Sequence, residues 1–438
     1  MVVPEVWVSG SDAITSLPAT FTELGERYFS LGQDIEYYER LLELPGGIGL
    51  TALAALRDVA ASPTTYDQAS KEASFRTSLL RFIPENTVTN QFRRLVSGGD
   101  KLVSYSFMYE KPLKEGEYTP FHLDFDVAPN AIPPQNIHAL IGPNGAGKST
   151  ILKDFFRAAI GDADAEGRFM QGDSNELPFV NVLHISYSAF DNALDWDRIL
   201  ERDIEAEAVG LAGNPKQLVE QFYESLEKCS SDSRKERWQN LMALLSKADP
   251  GLGELPLDSL ELRDLLNAKD AFNRMSSGHK IVTLTITRLV ELVKEKSLIL
   301  IDEPETHLHP PLLSALIRAI AELATNRNGI AIIATHSPVV LQEVPGSCVW
   351  MIQRSGELSQ ANRLSIETFG ESVSRLTSEV FRLSIDHTGF REILFELLRK
   401  NHGSIPSTLG ELDNKLGAEG RFLLSSLELQ MKNQDVQH

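Results

Sequence analysis

The sequence predicts an α/β fold built on a mostly parallel sheet, and three features carry that expectation. Short apolar runs at Ile137 to Ile141, Phe179 to Ile185, Leu298 to Ile301 and Ile330 to Thr335 read as buried strands. Helical spacing separates them (Val282, Ile286, Leu289, Val290 and Val293, then Leu313, Leu316, Ile317 and Ile320), which gives the βαβαβ alternation of a parallel sheet. The glycine-rich run Gly142-Pro143-Asn144-Gly145-Ala146-Gly147-Lys148-Ser149-Thr150 lies between the first of these strands and a helix expected from about Lys148 to Ala159.

Around this centre the chain divides into three parts. Residues 1–98 read as a mostly helical N-terminal extension, with spacing such as Tyr28, Leu31, Ile35, Tyr38 and Leu42, ending at a hinge at Ser97-Gly98-Gly99. Residues 99–358 form the head. It opens with two antiparallel strands joined by a charged turn, because Tyr105, Phe107 and Tyr109 alternate, as do Phe121, Leu123, Phe125 and Val127. Within the head, about 196–271 reads as a charged helical insert with turns at Gly210 to Gly213 and Asp249 to Gly253. Residues 359–438 read as helical, notably through Phe390, Ile393, Leu394 and Leu397, with a polar, frayed last eight residues.

Composition narrows the function classes. The 438 residues are 42% hydrophobic and 24% charged, so a sizeable core is expected. A formal net charge of −19 argues against a whole-surface duplex-DNA binder. Arg76, Arg81, Arg93, Arg94 and Lys101 form a local basic cluster, with two readings: a solvated helix face, or a nucleic-acid or partner surface. Cys229 and Cys348 have neither metal spacing nor a disulfide framework. The stretch from Met1 to Phe21 lacks a signal-peptide pattern and no run approaches a membrane span, so a cytoplasmic chain with no membrane partner is expected.

The chemistry concentrates at four places. In Gly142 to Thr150 the glycines let backbone N–H groups turn around a phosphate. Lys148 reaches the β- and γ-phosphates, and Ser149 ligates Mg²⁺. The strand Leu298 to Ile301 ends in Asp302-Glu303, which places Asp302 on the metal side and Glu303 beside an attacking water as general base. His336, in Thr335-His336-Ser337-Pro338 after the next strand, can contact the γ-phosphate. Met275-Ser276-Ser277-Gly278-His279-Lys280 opens the helix ahead of Asp302, with Ser276 and Gly278 as donors toward a γ-phosphate.

Asn144 in the P-loop, the Ser276-x-Gly278 signature, Asp302-Glu303 and His336, in this order, resemble soluble ABC-class ATPases of the SMC, RecF and OLD types, AAA-family proteins of bacterial defence or DNA repair. Asp302-Glu303-Pro304-Glu305-Thr306-His307-Leu308-His309-Pro310 is similar to the run of OLD-type ATPases, as are Thr368-Phe369-Gly370-Glu371 and the stretch from Leu376 to Phe381. The resemblance covers about 100–385. It departs from the pattern in the signature, where Met275, Ser277 and His279 replace Leu, Gly and Gln, and in the Q-loop, where Ser186, Tyr187, Ser188 and Asp191 stand in place of a glutamine.

The resemblance implies an ABC-type P-loop head that binds ATP and Mg²⁺. It implies an ATP-dependent homodimer, or higher homo-oligomer, and hydrolysis coupled to a switch in a repair or anti-phage complex. A separate effector chain, nuclease or toxin, is expected, because beyond residue 360 there is no Asp-x-Asp pair of a TOPRIM nuclease. Asp124-Phe125-Asp126 and Asp195-Trp196-Asp197 read as strand and turn positions. His307 and His309, with no cysteine nearby, read as structural or dimer contacts. The alternatives are a clamp that binds ATP with little turnover and a transporter ATPase subunit.

Overall fold

The described residues form twelve short strands: β1 (Val2–Pro4), β2 (Tyr28–Ser30), β3 (Tyr105–Lys111), β4 (Phe121–Val127), β5 (Ile137–Ile141), β6 (Arg168–Met170), β7 (Asn181–Ser186), β8 (Glu205–Gly210), β9 (Leu298–Asp302), β10 (Ile330–Thr335), β11 (Val349–Ser355) and β12 (Leu358–Arg363). The computed structural model describes residues 2–4, 17, 19–81, 83, 85, 87–113, 121–172, 179–187, 205–210, 215–230, 232–253, 265–355, 358–385, 390–417, 420, 421, 424, 425 and 427. Seven strands form the main sheet in the order β12-β11-β5-β10-β9-β7-β8, parallel except for the β11–β12 hairpin. A second sheet, β4-β3-β6, is antiparallel. The fold is therefore α/β, with a mostly parallel sheet and a small antiparallel one.

Alternate residues of the central strands feed two different cores, as a period of two requires. Ile137, Ala139, Ile141, Ile299, Ile301, Ala331 and Ile333 face one side. There the helices Pro215–Lys228, Asp232–Ala248, Ser277–Leu292 and Pro310–Asn326 complete the core. Leu140, Leu298, Leu300, Ile330, Ile332 and Ala334 face the other side, against the Lys148–Ala159 helix and the small sheet. Covered on both faces, these strands contain few polar residues, which made them legible as apolar runs. The small sheet has one wet face, so β4 alternates buried Phe121, Leu123, Phe125 and Val127 with exposed His122, Asp124 and Asp126. Asp124 and Asp126 are thus strand positions, while Asp195-Trp196-Asp197 lies outside the described residues.

Among the described residues, the insert differs from its expected helices and turns at two places. Glu205–Gly210 is a strand, β8, paired in parallel with β7 at the sheet edge. Its sequence, Glu-Ala-Glu-Ala, has the charged residues common in edge strands, and Glu207 is exposed, yet glutamate and alanine also favour helix. The remaining described elements there are helices, including Pro250–Gly253 where a turn is expected, and Leu265–Arg274. Trp238 is fully buried and donates from Nε1 to Thr287 Oγ1 (2.9 Å), fixing the insert on the Ser277–Leu292 helix.

The N-terminal part carries its own core of Phe29, Leu31, Ile35, Tyr38, Leu53, Phe75, Val88 and Phe92. Helical spacing does not extend back to Tyr28, because Tyr28–Ser30 is a strand and the first helix is Ile35–Leu42. The lobe docks through ion pairs: Asp34 with Arg327 (3.4 Å) and Arg237 (3.7 Å), Glu36 with Arg237 (3.3 Å), Glu39 with Lys101 (2.8 Å) and Glu295 with Arg94 (2.9 Å). Arg93 lies over the Tyr66 ring, 5.0 Å from its centroid. Much of the basic cluster is therefore occupied within the chain. At the other end, β12 includes residues first read as helical. It folds back on β11, and helices Val373–Ile385, Phe390–Lys400 and Ile405–Glu411 follow. The frayed end expected for the last eight residues lies outside the described residues.

One buried carboxylate ties the small sheet to the Lys148–Ala159 helix. Asp154 accepts from the Glu166 (2.7 Å) and Gly167 (3.0 Å) amides and from the Tyr109 hydroxyl. Asp154→Ala should strand these donors and cost about 2–4 kcal/mol, since each unsatisfied buried donor costs roughly 1–3 kcal/mol. Denaturant unfolding checks this; a change below about 0.5 kcal/mol, the usual span of a surface substitution, would contradict the packing described.

Candidate functional site

The sequence motifs converge at one edge of the main sheet because the strands there run in register. Ile141 lies beside Thr335, Ala334 beside Asp302, and Asp302 beside Ser186. The segments that leave β5, β9 and β10 therefore emerge side by side, the usual position for ligands in parallel α/β sheets.

After β5 the chain turns through Gly145 (φ +80°) and Gly147 (φ +93°), left-handed conformations that side chains rarely adopt. Gly142 is required for a different reason: a Cβ there would sit 2.3 Å from the Ile352 carbonyl oxygen of β11. Lys148 begins the helix and is buried, with its Nζ donating to the carbonyls of Gly142 (2.9 Å) and Pro143 (3.2 Å). Burial pushes its amine below the ordinary value, against the opposing pull of Glu303, Glu305 and Asp302. Ala146 is buried, whereas Asn144, Gly145 and Thr150 are exposed.

The Ser149 hydroxyl donates to Asp302 Oδ1 at 3.1 Å. This brings together the two oxygen groups singled out as metal ligands, 153 residues apart in sequence. Both are hard oxygen donors, the chemistry Mg²⁺ prefers. Glu303 follows in a left-handed conformation (φ +47°), held by its amide donating to the Ala334 carbonyl (2.9 Å). Such a conformation in a non-glycine residue costs of order 1–3 kcal/mol and tends to occur at functional sites.

Glu305 joins this loop to His336. Its Oε1 accepts from the Thr335 hydroxyl (2.7 Å) and the His336 amide (2.7 Å), and lies 3.0 Å from His336 Nδ1. That last contact is at ion-pair distance but lacks hydrogen-bond alignment. His336 Nδ1 is 3.6 Å from Glu303 Oε1. Sequence reasoning placed Glu303 and His336 but gave Glu305 no role of its own. The residue was in view within the Asp302-Glu303-Pro304-Glu305 run, yet its partners come from a different strand.

The signature residues sit at the start of the Ser277–Leu292 helix. Ser276 is its N-cap, accepting from the His279 amide (3.3 Å). Gly278 packs closely on the loop after Glu303, since a Cβ there would come 3.2 Å from the His307 carbonyl oxygen. Where a Q-loop glutamine is absent, Tyr187 is buried and donates to Thr285 Oγ1 (3.2 Å), while Ser188 and Asp191 lie outside the described residues. The Thr368 to Glu371 run is fastened to the segment that follows β10: Glu367 accepts from the amides of Gly346, Thr368 and Phe369, and Gln342 donates to the Glu371 carbonyl (2.6 Å).

Glu305→Ala should leave the Thr335 hydroxyl and the His336 amide without their acceptor. The expected cost is about 2–3 kcal/mol, with faster hydrogen exchange at His336. Unchanged protection of that amide would contradict the link.

Comparisons with known proteins find a family profile, solved structures and a curated relative. A family profile described as "AAA domain, putative AbiEii toxin, Type IV TA system" matches residues 217–342, from the insert helices through β9 and β10 to just past His336. Among solved structures, an ATP-binding cassette of an ABC transporter in its ADP conformation is 16% identical, covering 63% of this chain and 94% of that one at a TM-score of 0.35. The cbiO1 subunit of a Clostridium perfringens ABC transporter complex is 14% identical, covering 70% and 100%, at a TM-score of 0.34. Protein ea59 of Escherichia phage lambda is 35% identical in an alignment that covers 95% of this chain and 86% of that protein. The chain carries a P-loop nucleotide-binding domain of the AAA type and belongs to the family of phage lambda protein ea59.

Proposed function

We propose that the chain is a Mg²⁺-dependent ATPase whose site is formed by Asn144 to Thr150, Asp302, Glu303 and His336, and is completed by Ser276 and Gly278 of a second copy. The observation that carries this reading is the 3.1 Å contact between Ser149 and Asp302, with the Lys148 amine in the same loop and Glu303 and His336 at the same sheet edge.

The chain's own groups divide the work. The Lys148 amine, now satisfied by two backbone carbonyls, exchanges them for β- and γ-phosphate oxygens. Ser149 and Asp302 would hold Mg²⁺, which would supply charge neutralisation for the phosphate oxygens. Glu303 orients the attacking water and accepts its proton. His336, positioned through Glu305, contacts the γ-phosphate, so the β10 end can respond to its loss. Ser276 and Gly278 present a hydroxyl and a backbone amide at a helix N-terminus, suited to an anion supplied from outside the chain.

The finer setting belongs to the same proposal: an intracellular switch in anti-phage defence or DNA repair, working with a separate nuclease or toxin chain. It is supported by the toxin–antitoxin wording of the matching profile.

Lys148→Ala should abolish ATP binding, measured by equilibrium dialysis; unchanged affinity would overturn the site. Glu303→Gln should keep ATP affinity while reducing turnover by ~100-fold or more, the scale expected for a lost general base. It should also accumulate a dimer at saturating Mg-ATP, because a ligand shared by two chains stabilises their association. Sedimentation of Glu303→Gln showing one mass with and without nucleotide would contradict the shared site.

A further inference from the structure

Asp249, His279 and His309 come from three separate elements. Asp249 immediately follows the insert helix Asp232–Ala248, His279 lies in the first turn of Ser277–Leu292, and His309 occupies the N-cap position of Pro310–Asn326. They meet at one point. Asp249 Oδ2 is 3.1 Å from His279 Nε2 and 2.8 Å from His309 Nε2, and one donor atom from each residue lies within 4.8 Å of the others.

We propose that these three residues form a binding site for a borderline divalent transition metal, with Zn²⁺ the best match. Two imidazole nitrogens and one carboxylate oxygen suit Zn²⁺ and disfavour Mg²⁺, which prefers oxygen donors. Tetrahedral bonds of about 2.0–2.1 Å separate neighbouring ligand atoms by ~3.4 Å. The two carboxylate–imidazole separations, 3.1 and 2.8 Å, are a few tenths of an ångström shorter than that spacing, and the two imidazole nitrogens lie within 4.8 Å of each other, so side-chain rotations that spread the three atoms admit an ion. The carboxylate is buried while His309 is exposed, which leaves the ion open to water at a fourth position.

The surroundings favour a prepared site. The Gly251 amide donates to Asp249 Oδ1 (2.8 Å), orienting the carboxylate so that Oδ2 alone faces both rings. A Cβ at Gly251 would approach His279 Cε1 to 3.1 Å and Asp249 Oδ1 to 3.2 Å, so the absent side chain is what lets them close up. His279 stands where the family signature has glutamine. From the sequence His309 reads as a structural or dimer contact because no cysteine lies nearby; the partners that complete the set, His279 and Asp249, are 30 and 60 residues before it in sequence and invisible as a motif. An ion here ties the signature helix to the loop that follows Glu303, whose His307 carbonyl would lie 3.2 Å from a Cβ at Gly278. The proposal stands apart from ATP hydrolysis, and its test needs no nucleotide.

The test uses the full chain, stripped with chelator and free of nucleotide, with Zn²⁺ and Co²⁺ as probes. In competition with a chromogenic chelator, the wild-type chain should hold one Zn²⁺ more than His309→Ala or Asp249→Asn. Affinity at that site should fall at least ~100-fold with one of three ligands removed. Co²⁺ should give the intense visible bands of four-coordinate geometry in the wild type only. His307→Ala, which removes a neighbouring exposed histidine outside the cluster, should behave as wild type. Because His309 is exposed, His309→Ala should unfold at the wild-type temperature without metal, and Zn²⁺ should raise the unfolding temperature of the wild type alone. Equal Zn²⁺ uptake and equal affinity in wild type and His309→Ala would overturn the site and leave a metal-free ion-pair cluster. A His309→Ala chain that unfolds much earlier without metal would likewise assign His309 to structure.

Discussion

The parallel register of β5, β10 and β9 is the constraint on which the rest depends. Pairing Ile141 with Thr335 and Ala334 with Asp302 brings the P-loop, the Asp302-Glu303 pair and His336 to one edge. A slip of one residue would turn every side chain to the opposite face, exchanging the two cores as well as displacing the site. The strands resist that slip because both faces are buried: Ile299 and Ile301 belong to one core, Leu298 and Leu300 to the other. Glu305 adds a polar lock across the same edge, since a single carboxylate oxygen serves both Thr335 and His336.

The regions around the sheet fasten to elements that carry the site. Asp34 and Glu36 of the N-terminal lobe reach Arg237 of the insert and Arg327 at the end of the helix that follows the Glu303 loop. Arg94 reaches Glu295, just after the helix that begins at the signature, and burial holds the Glu295 carboxyl above its ordinary value. A movement of the signature helix or of the insert would thus be felt by the lobe. No helix among the described residues is long and apolar enough to cross a membrane.

Much of this was legible in the sequence, for identifiable reasons. The Lys148–Ala159 helix and the central strands were readable because continuous apolar runs and a glycine turn have few alternative structures. β8 was not, because an edge strand of Glu and Ala carries helix propensity and its pairing with β7 is a long-range fact. The β11–β12 hairpin was missed similarly, since β12 (Leu-Ser-Gln-Ala-Asn-Arg) is polar and takes its structure from β11. At the site, motif spacing indicated Lys148, Ser149, Asp302, Glu303 and His336. It could not show that Glu305 positions His336, or that His309 faces Asp249, because both depend on chain segments brought together only by folding.

The central claim is that this sheet edge is one nucleotide site. A structure of the full chain with Mg²⁺ and a non-hydrolysable ATP analogue tests it most directly. The account predicts the phosphates against Gly145 to Thr150, with Lys148 Nζ released from the Gly142 and Pro143 carbonyls to phosphate oxygen. It also predicts Mg²⁺ at about 2.0–2.1 Å from Ser149 Oγ, beside Asp302. An analogue bound elsewhere, or Lys148 still held by those carbonyls with the phosphates bound, would contradict it.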